Sequence, residues 1–433
     1  MSALHTAQPA AGQARAWPQP AEAGPAPAVP GLPAGRRLSV AYFSNSLARG
    51  GAEEHLLTLL RGLDRERFET ALICTPELAE QIASDLPADC ELVRLSLRAP
   101  WHLAAAGRLG AWFRKRRPDV LHSHLFYASL MASPIARLAG IPVVIETPHV
   151  REQWRRGWIK SRFFVDRCAS LMVDRYIAVS SANAAYLRRE KRLPAQKIVA
   201  IPNGCDCERF RALPEPSAAL REQLQIPPQA PVLVVVARLE PQKGHAVLLR
   251  ALPRVLASFP ATRLICVGAG SLAADLRAEA GALRVAHAVR FAGFQADIRP
   301  FLALAAISIL PSFYEGMPLV AMESLAAGVA MIATDVDGTP EIIVHGQTGL
   351  LVPPGDPAAL AAAILRLLAD DSLRAALAAN GQAWVRRRFD RHRQIQATQE
   401  LYVSAWRESC EKRAYARGGA AWDGDSMHQE RSS

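Results

Sequence analysis

From residue 37 onward, short apolar runs rich in Val, Ile and Leu alternate with longer stretches of helical period, and the alternation occurs twice over. Runs of this length and composition are the mark of strands covered on both faces. In the first half they fall at 38–43, 70–74, 120–122, 143–146, 175–179 and 198–201. Amphipathic stretches such as 51–63 and 180–189 lie between them. After a looser, Pro-containing stretch, the same grammar restarts at 232–237, 263–267, 289–291, 307–310, 330–333 and 349–352, with helical stretches at 245–258, 319–327 and 357–368. Strand–helix–strand alternation of this kind builds parallel sheets with helices on both faces. At 433 residues the chain exceeds what one hydrophobic core holds, about 250–300 residues, so two domains are expected. The fold class is therefore α/β, with two Rossmann-like doubly wound domains in series and a cleft at their junction.

The expected boundaries follow from these breaks: a tail at 1–35, a first domain at 36–210, a linker at 211–230 and a second domain at 231–394. A final helix at 395–410 packs back on one of the domains, the first being the expected host, and a second tail occupies 411–433. The first 35 residues are dominated by Ala, Pro and Gly and cannot bury enough surface to offset their ordering entropy. They also lack the basic start and apolar core of a secretory signal. A cytoplasmic protein is expected, and the seven scattered cysteines agree, reading as reduced thiols packed like small hydrophobes. Cys205 and Cys207 are the only close pair, and no second pair or His cluster completes a zinc set.

Charge is unevenly placed. Residues 36–209 hold 27 Lys/Arg against 18 Asp/Glu, so they carry +9 of the net +11. The excess comes in runs at 114–117, 151–167 and 188–192. Solvated helix faces account for such runs, and so does attraction to an anionic membrane surface or a phosphate-bearing substrate. Nucleic acid is not expected, because no aromatic-interleaved basic motif is present.

Four segments carry chemistry. The first runs from Leu310 to Gly328 and contains Glu315-Gly316-Met317-Pro318-Leu319 followed by Glu323. A strand ends in a loop, Pro318 suits the first turn of a helix, and Gly328 ends it. The free N–H groups of such a helix start favour a diphosphate, and a carboxylate such as Glu323 suits a ribose diol. On residue types alone, Glu315 as a surface acid and Glu323 as a dipole-complementing residue stand equally well. The second segment holds Arg238 directly after a strand and Lys243 five residues on, two cations fit for the phosphates of a leaving nucleotide. The third is Gly50-Gly51 between the first strand and first helix, where the backbone can approach a ligand closely. The Gly268–Gly270 turn is weaker, with a helix-start role equally open. The fourth is Glu146-Thr147-Pro148-His149 at a strand end, which projects an imidazole into the cleft unless that His is structural.

In their order and spacing these segments resemble the retaining glycosyltransferases of family 4, with the GT-B fold, from about Leu38 to about Tyr402. The most specific element is the pair Glu315 and Glu323 within Pro-Ser-x-x-Glu-Gly-Met-Pro-Leu-Val-x-x-Glu. Ala237–Gly244, Ile201-Pro202-Asn203-Gly204, Pro118–His122 and Gly346–Leu350 are similar to the family's other recurring segments. The resemblance implies that Arg238 and Lys243 hold the diphosphate of a nucleotide-sugar donor, UDP- or GDP-linked, and Glu323 its ribose. Glu315 and the amides of Gly316, Met317, Pro318 and Leu319 would face the transferred sugar and phosphates. Gly50 and Gly51 would border the diphosphate from the other domain, and His149 would lie near the anomeric centre. No cofactor and no metal are implied, since Arg and Lys take that part. The acceptor would be a glycan or a lipid-linked molecule in cell-surface polysaccharide or glycoconjugate synthesis, with peripheral attachment to the inner membrane face. A nucleotide-sugar epimerase, a glycosyl phosphorylase or a non-catalytic binding subunit are the competing readings. Three departures stand out: Ala237 and Asp337 replace common glycines, and Gln242 replaces a common acid.

Overall fold

In a computed structural model of the chain, residues 32–416 are described, apart from 34 and 153–162. The expected tail at 1–35 lies almost wholly outside the described residues, as does most of the basic run 151–167.

The apolar runs form two parallel sheets. The first contains β1 (Leu38–Ser44), β2 (Phe68–Cys74), β3 (Glu91–Arg94), β4 (Val120–His124), β5 (Val143–Thr147), β6 (Arg175–Ala178) and β7 (Ile198–Ala200) in the order β3-β2-β1-β4-β5-β6-β7. The second contains β8 (Val232–Val236), β9 (Arg263–Val267), β10 (Val289–Gly293), β11 (Ile307–Leu310), β12 (Ala330–Thr334) and β13 (Leu350–Val352) in the order β10-β9-β8-β11-β12-β13. Every pairing is parallel. β3 was not expected from sequence. It is a half-buried edge strand reading Glu-Leu-Val-Arg, too polar to stand out.

The two-residue period sorts each strand between two cores. Along β1, Leu38, Val40 and Tyr42 enter one face and Ala41 and Phe43 the other. The final helix spans Arg391–Ala416, longer at both ends than the 395–410 expected, so residues 411–416 are helical rather than part of a tail. Ile395, Leu401, Tyr402 and Trp406 of this helix close one face of the first sheet. The Tyr402 hydroxyl lies 2.9 Å from that of Tyr42 and 2.6 Å from His122 Nδ1.

The expected boundary at 210 comes too late in one respect. Cys205, Cys207 and Phe210 pack with Met322, Leu325 and Met331 of the second domain. The stretch 211–230 is likewise no bare linker. It contains the helix Ala218–Gln223, and Leu224, Ile226 and Ala230 are buried against the second sheet.

Candidate active site

Each sheet reverses its strand order at one point, between β1 and β4 in the first and between β8 and β11 in the second. Loops leaving the carboxyl ends of those strands diverge there and open a crevice. From the first domain come Gly50 and Gly51, starting the helix Gly51–Gly62 after β1. From the second come Arg238 after β8 and the loop 311–318 after β11. The two crevices face each other.

Lys243 and Glu315, far apart in sequence, form an ion pair of 2.5 Å. Glu315 is buried and also accepts from the Ser312 hydroxyl at 2.7 Å. The two loops lie backbone to backbone. Gly244 adopts φ +66°, and a Cβ there would stand 2.0 Å from the Pro311 carbonyl oxygen, so neither its conformation nor its space admits a side chain. Gln242 replaces the usual acid without loss of order, because its amide donates to the Tyr314 carbonyl at 2.8 Å while its own carbonyl accepts from Phe313 N–H. The Gly268–Gly270 turn bears against the backbone of Ala237–Leu239 and so supports Arg238, while the following helix starts later, at Ala273. Arg238 reaches toward Gly50 across the cleft, its Cδ and Nε 3.9 Å from where a Cβ of Gly50 would sit. Gly51 has open space around it.

Pro318 caps the helix Leu319–Ala326 rather than lying inside its first turn. Glu323 stands on that helix, partly covered. Desolvation, with repulsion from Glu54 next and attraction from Arg209 opposing, pushes its carboxyl up to about 7. Glu53, at the Gly50 turn, is buried and also raised by desolvation, against hydrogen bonding from Ser46 and the field of Arg238.

His149 is buried beyond β5, and its carbonyl meets the second domain at Gly316. A Cβ on Gly316 would lie 1.6 Å from the His149 oxygen, so only glycine permits this approach. Three further contacts cross the cleft: Asn203 donates to the Met317 carbonyl at 2.9 Å, Asp337 pairs with Arg151 at 3.4 Å, and Glu341 accepts from Ser181 and Ala182 N–H at 3.0 and 2.9 Å. Asp337 also accepts from Glu315 N–H at 3.0 Å, which ties the unusual residue of the 334–341 loop to the first glutamate.

Sequence reasoning missed His55 and His124, and gave Asn203 and Glu341 no individual role although both lie in segments it singled out. His124 Nδ1 lies 2.9 Å from His149 Nε2, and His55 packs edge-on to His149 with ring centroids 4.8 Å apart. Burial holds His55 down to about 4, and holds His124 and His149 well below the usual range, where the neighbouring imidazoles depress them further. The i, i+2 spacing of His122 and His124 on β4 was the one signal available, since a strand's period of two puts both on one face, with their ring centroids 4.5 Å apart. The Cys205–Cys207 pair consists of free, buried thiols.

Comparison with known proteins bears directly on this cleft. The family described as glycosyl transferases group 1 matches residues 217–384, and glycosyltransferase family 4 matches residues 49–209. The chain is 31% identical to glycogen synthase of Mycobacterium tuberculosis over 320 residues, 72% of this chain and 74% of the relative. It is 24% identical to UDP-Gal:alpha-D-GlcNAc-diphosphoundecaprenol alpha-1,3-galactosyltransferase of Escherichia coli, covering 85% and 97%. Anabaena HepE, solved with UDP-glucose, superposes with a TM-score of 0.76 at 21% identity, covering 85% of this chain and all of that one. With two doubly wound sheets facing across one cleft and matches in both halves, the chain belongs to the group 1 glycosyltransferases of family 4, hexosyltransferases of the GT-B fold.

Proposed function

We propose that this enzyme transfers a sugar, with retention of anomeric configuration, from a UDP- or GDP-sugar to a glycan or lipid-linked acceptor during assembly of a cell-surface polysaccharide or another glycoconjugate. The observation that carries the donor half is the pairing of Lys243 with Glu315 at the second switch point while Arg238 faces Gly50 across the cleft. Arg238 and Lys243 take the diphosphate, and as the phosphate departs their fixed charges stabilise the charge that develops. Lys243 is already held by Glu315, so little reorganisation accompanies binding. Glu323 receives the ribose hydroxyls. Glu315 and the amides of the 316–319 turn face the transferred sugar, Gly50 and Gly51 border the diphosphate, and His149 lies at the anomeric centre. The departing phosphate oxygen, on the face the acceptor attacks, helps remove the acceptor's proton. Two cations in these places make a metal unnecessary for the transfer itself.

Support for a lipid-linked acceptor comes from the diphosphoundecaprenol substrate named for the E. coli relative and from the basic first half. Trp101 and Leu103 are 78% and 74% exposed beside the basic helix Leu103–Arg116, an arrangement suited to the inner membrane face. No helix among the described residues is long and apolar enough to cross a membrane, so attachment there is peripheral. The deciding experiment is a screen of UDP- and GDP-sugars that follows nucleotide release with and without cell-envelope lipid extract. Acceptor-dependent release with a retained anomer supports the reading. Isomerised donor without acceptor points to an epimerase and overturns it. Failure to float with anionic vesicles at low salt removes the membrane part alone.

A further inference from the structure

Three imidazoles from three elements meet on the first-domain wall of the cleft. His55 stands on the helix after β1, His124 is the last residue of β4, and His149 follows β5. They are 2%, 1% and 7% exposed. One ring nitrogen of each lies within 4.8 Å of those of the other two. The transfer reaction as proposed uses only His149, so two buried imidazoles lack a role in it.

The surroundings are those of a ligand set. His55 Nδ1 lies 2.8 Å from Asn203 Oδ1, and the Asn203 amide is turned that way because its nitrogen donates to the Met317 carbonyl. The Gln394 side-chain nitrogen, whose companion oxygen accepts from Gly204 N–H, lies 2.8 Å from the same Nδ1, so the ring is held from two sides by polar neighbours. Outer-shell orientation of this kind accompanies metal-bound histidine. Nε2 of His124 is buried without a hydrogen-bond partner in the structure, an under-satisfied nitrogen of the sort that costs free energy unless something binds it.

We propose that His55, His124 and His149 form a binding site for a divalent transition-metal ion of the Zn²⁺ class, whose occupancy switches the enzyme off. Tetrahedral Zn–N bonds of about 2.0–2.1 Å set ligand nitrogens about 3.4 Å apart. With all three nitrogens within 4.8 Å and His124 Nδ1 at 2.9 Å from His149 Nε2, that pair would part slightly and His55 close in, by shifts on the order of an ångström. Imidazole nitrogen suits Zn²⁺, Cu²⁺ and Ni²⁺ rather than Mg²⁺ or Ca²⁺. Three protein ligands leave a fourth position for water or a substrate oxygen. The effect on turnover rests on the proposed place of His149 at the anomeric centre, whereas metal binding itself does not.

The test titrates the full-length, metal-stripped protein with Zn²⁺ against a chromophoric chelator, and separately with Co²⁺ while absorption is read. One ion per chain is expected, with ligand-field bands of tetrahedral Co²⁺ and no thiolate charge-transfer band. His55→Gln and His124→Gln should each weaken binding at least about 10-fold, by loss of a ligand. A Cys205→Ser/Cys207→Ser protein should bind as the parent does. Circular dichroism checks that the variants fold, and the parent's Co²⁺ spectrum decides the matter if they do not. Zn²⁺ should abolish donor turnover, with recovery on adding EDTA. Absence of binding at submillimolar Zn²⁺, a thiolate band, or unchanged affinity in folded His124→Gln overturns the site. Because binding is read without donor or acceptor, failure of the glycosyl-transfer reading gives a different result.

Discussion

Glu323 carries opposing demands at one position. Its folded pKa of about 7 lies above the ordinary 4.5, so between those values the folded protein holds a proton that the unfolded chain releases. Its contribution to stability is therefore greatest at low pH and is lost as pH rises through that window. In the proposed ribose-binding role the demand runs the other way, because only the carboxylate accepts from both ribose hydroxyls. Calorimetric titration of nucleotide should give affinity that falls as pH drops through about 7. Glu323→Gln should flatten the profile, weaken nucleotide at pH 8, and raise the unfolding temperature there by removing a desolvated charge. A variant that kept both the parent's affinity and its pH dependence would sink the ribose role. In sequence, this residue and Glu315 were legible through their fixed spacing across a strand–loop–helix. The perturbation was not, since Glu54 and Arg209 reach Glu323 only through the fold.

The final helix shows what an element's sequence does and does not specify. Its location was readable to within a few residues and the first domain was its expected host, but its packing partners there were not readable. Trp406 is 2% exposed and Tyr402 fully buried in the first domain's core, where Gly62 lets Ile395 approach the helix Gly51–Gly62. Trp406→Ala should cost about 3–5 kcal/mol in urea unfolding, as deletion of a large buried ring does. The loss should fall on the first domain, although the helix follows the second in sequence, and domain-resolved hydrogen exchange checks that. The basic runs divide in a similar way. Arg114, Lys115 and Arg116 close the helix Leu103–Arg116, and Arg188 and Arg189 close Ser181–Arg189, where they complement the helix dipoles. Lys191, by contrast, is 1% exposed and sits between Asp166 at 2.7 Å and Glu152 at 3.1 Å, so it adds nothing to a surface field.

At the scale of the whole molecule, the cleft is shut by contacts that belong to neither domain alone. Gly316→Ala would drive a methyl into the His149 carbonyl and hold the domains apart. A misplacement of about 1 Å costs on the order of 100-fold, so kcat should fall by at least that much while the unfolding temperature stays close to the parent's. Parent-like kcat would show that this approach is not needed for turnover. Glu341 holds the first N–H groups of the helix Ser181–Arg189, which otherwise lack partners. Glu341→Ala should enlarge the radius of gyration in small-angle scattering and raise the donor KM several-fold, with smaller change in kcat at saturation. The sequence by itself determined the two parallel sheets, their order along the chain and the loops that bear Arg238, Lys243, Glu315 and Glu323, because strand period, helix ends and close spacing are local properties. Only the tertiary structure decided that Lys243 meets Glu315, that the last helix packs into the first domain's core, and that three histidines converge on the first-domain wall of the cleft. Such meetings depend on long-range packing and on which strand ends the topology brings together, and no local pattern encodes them.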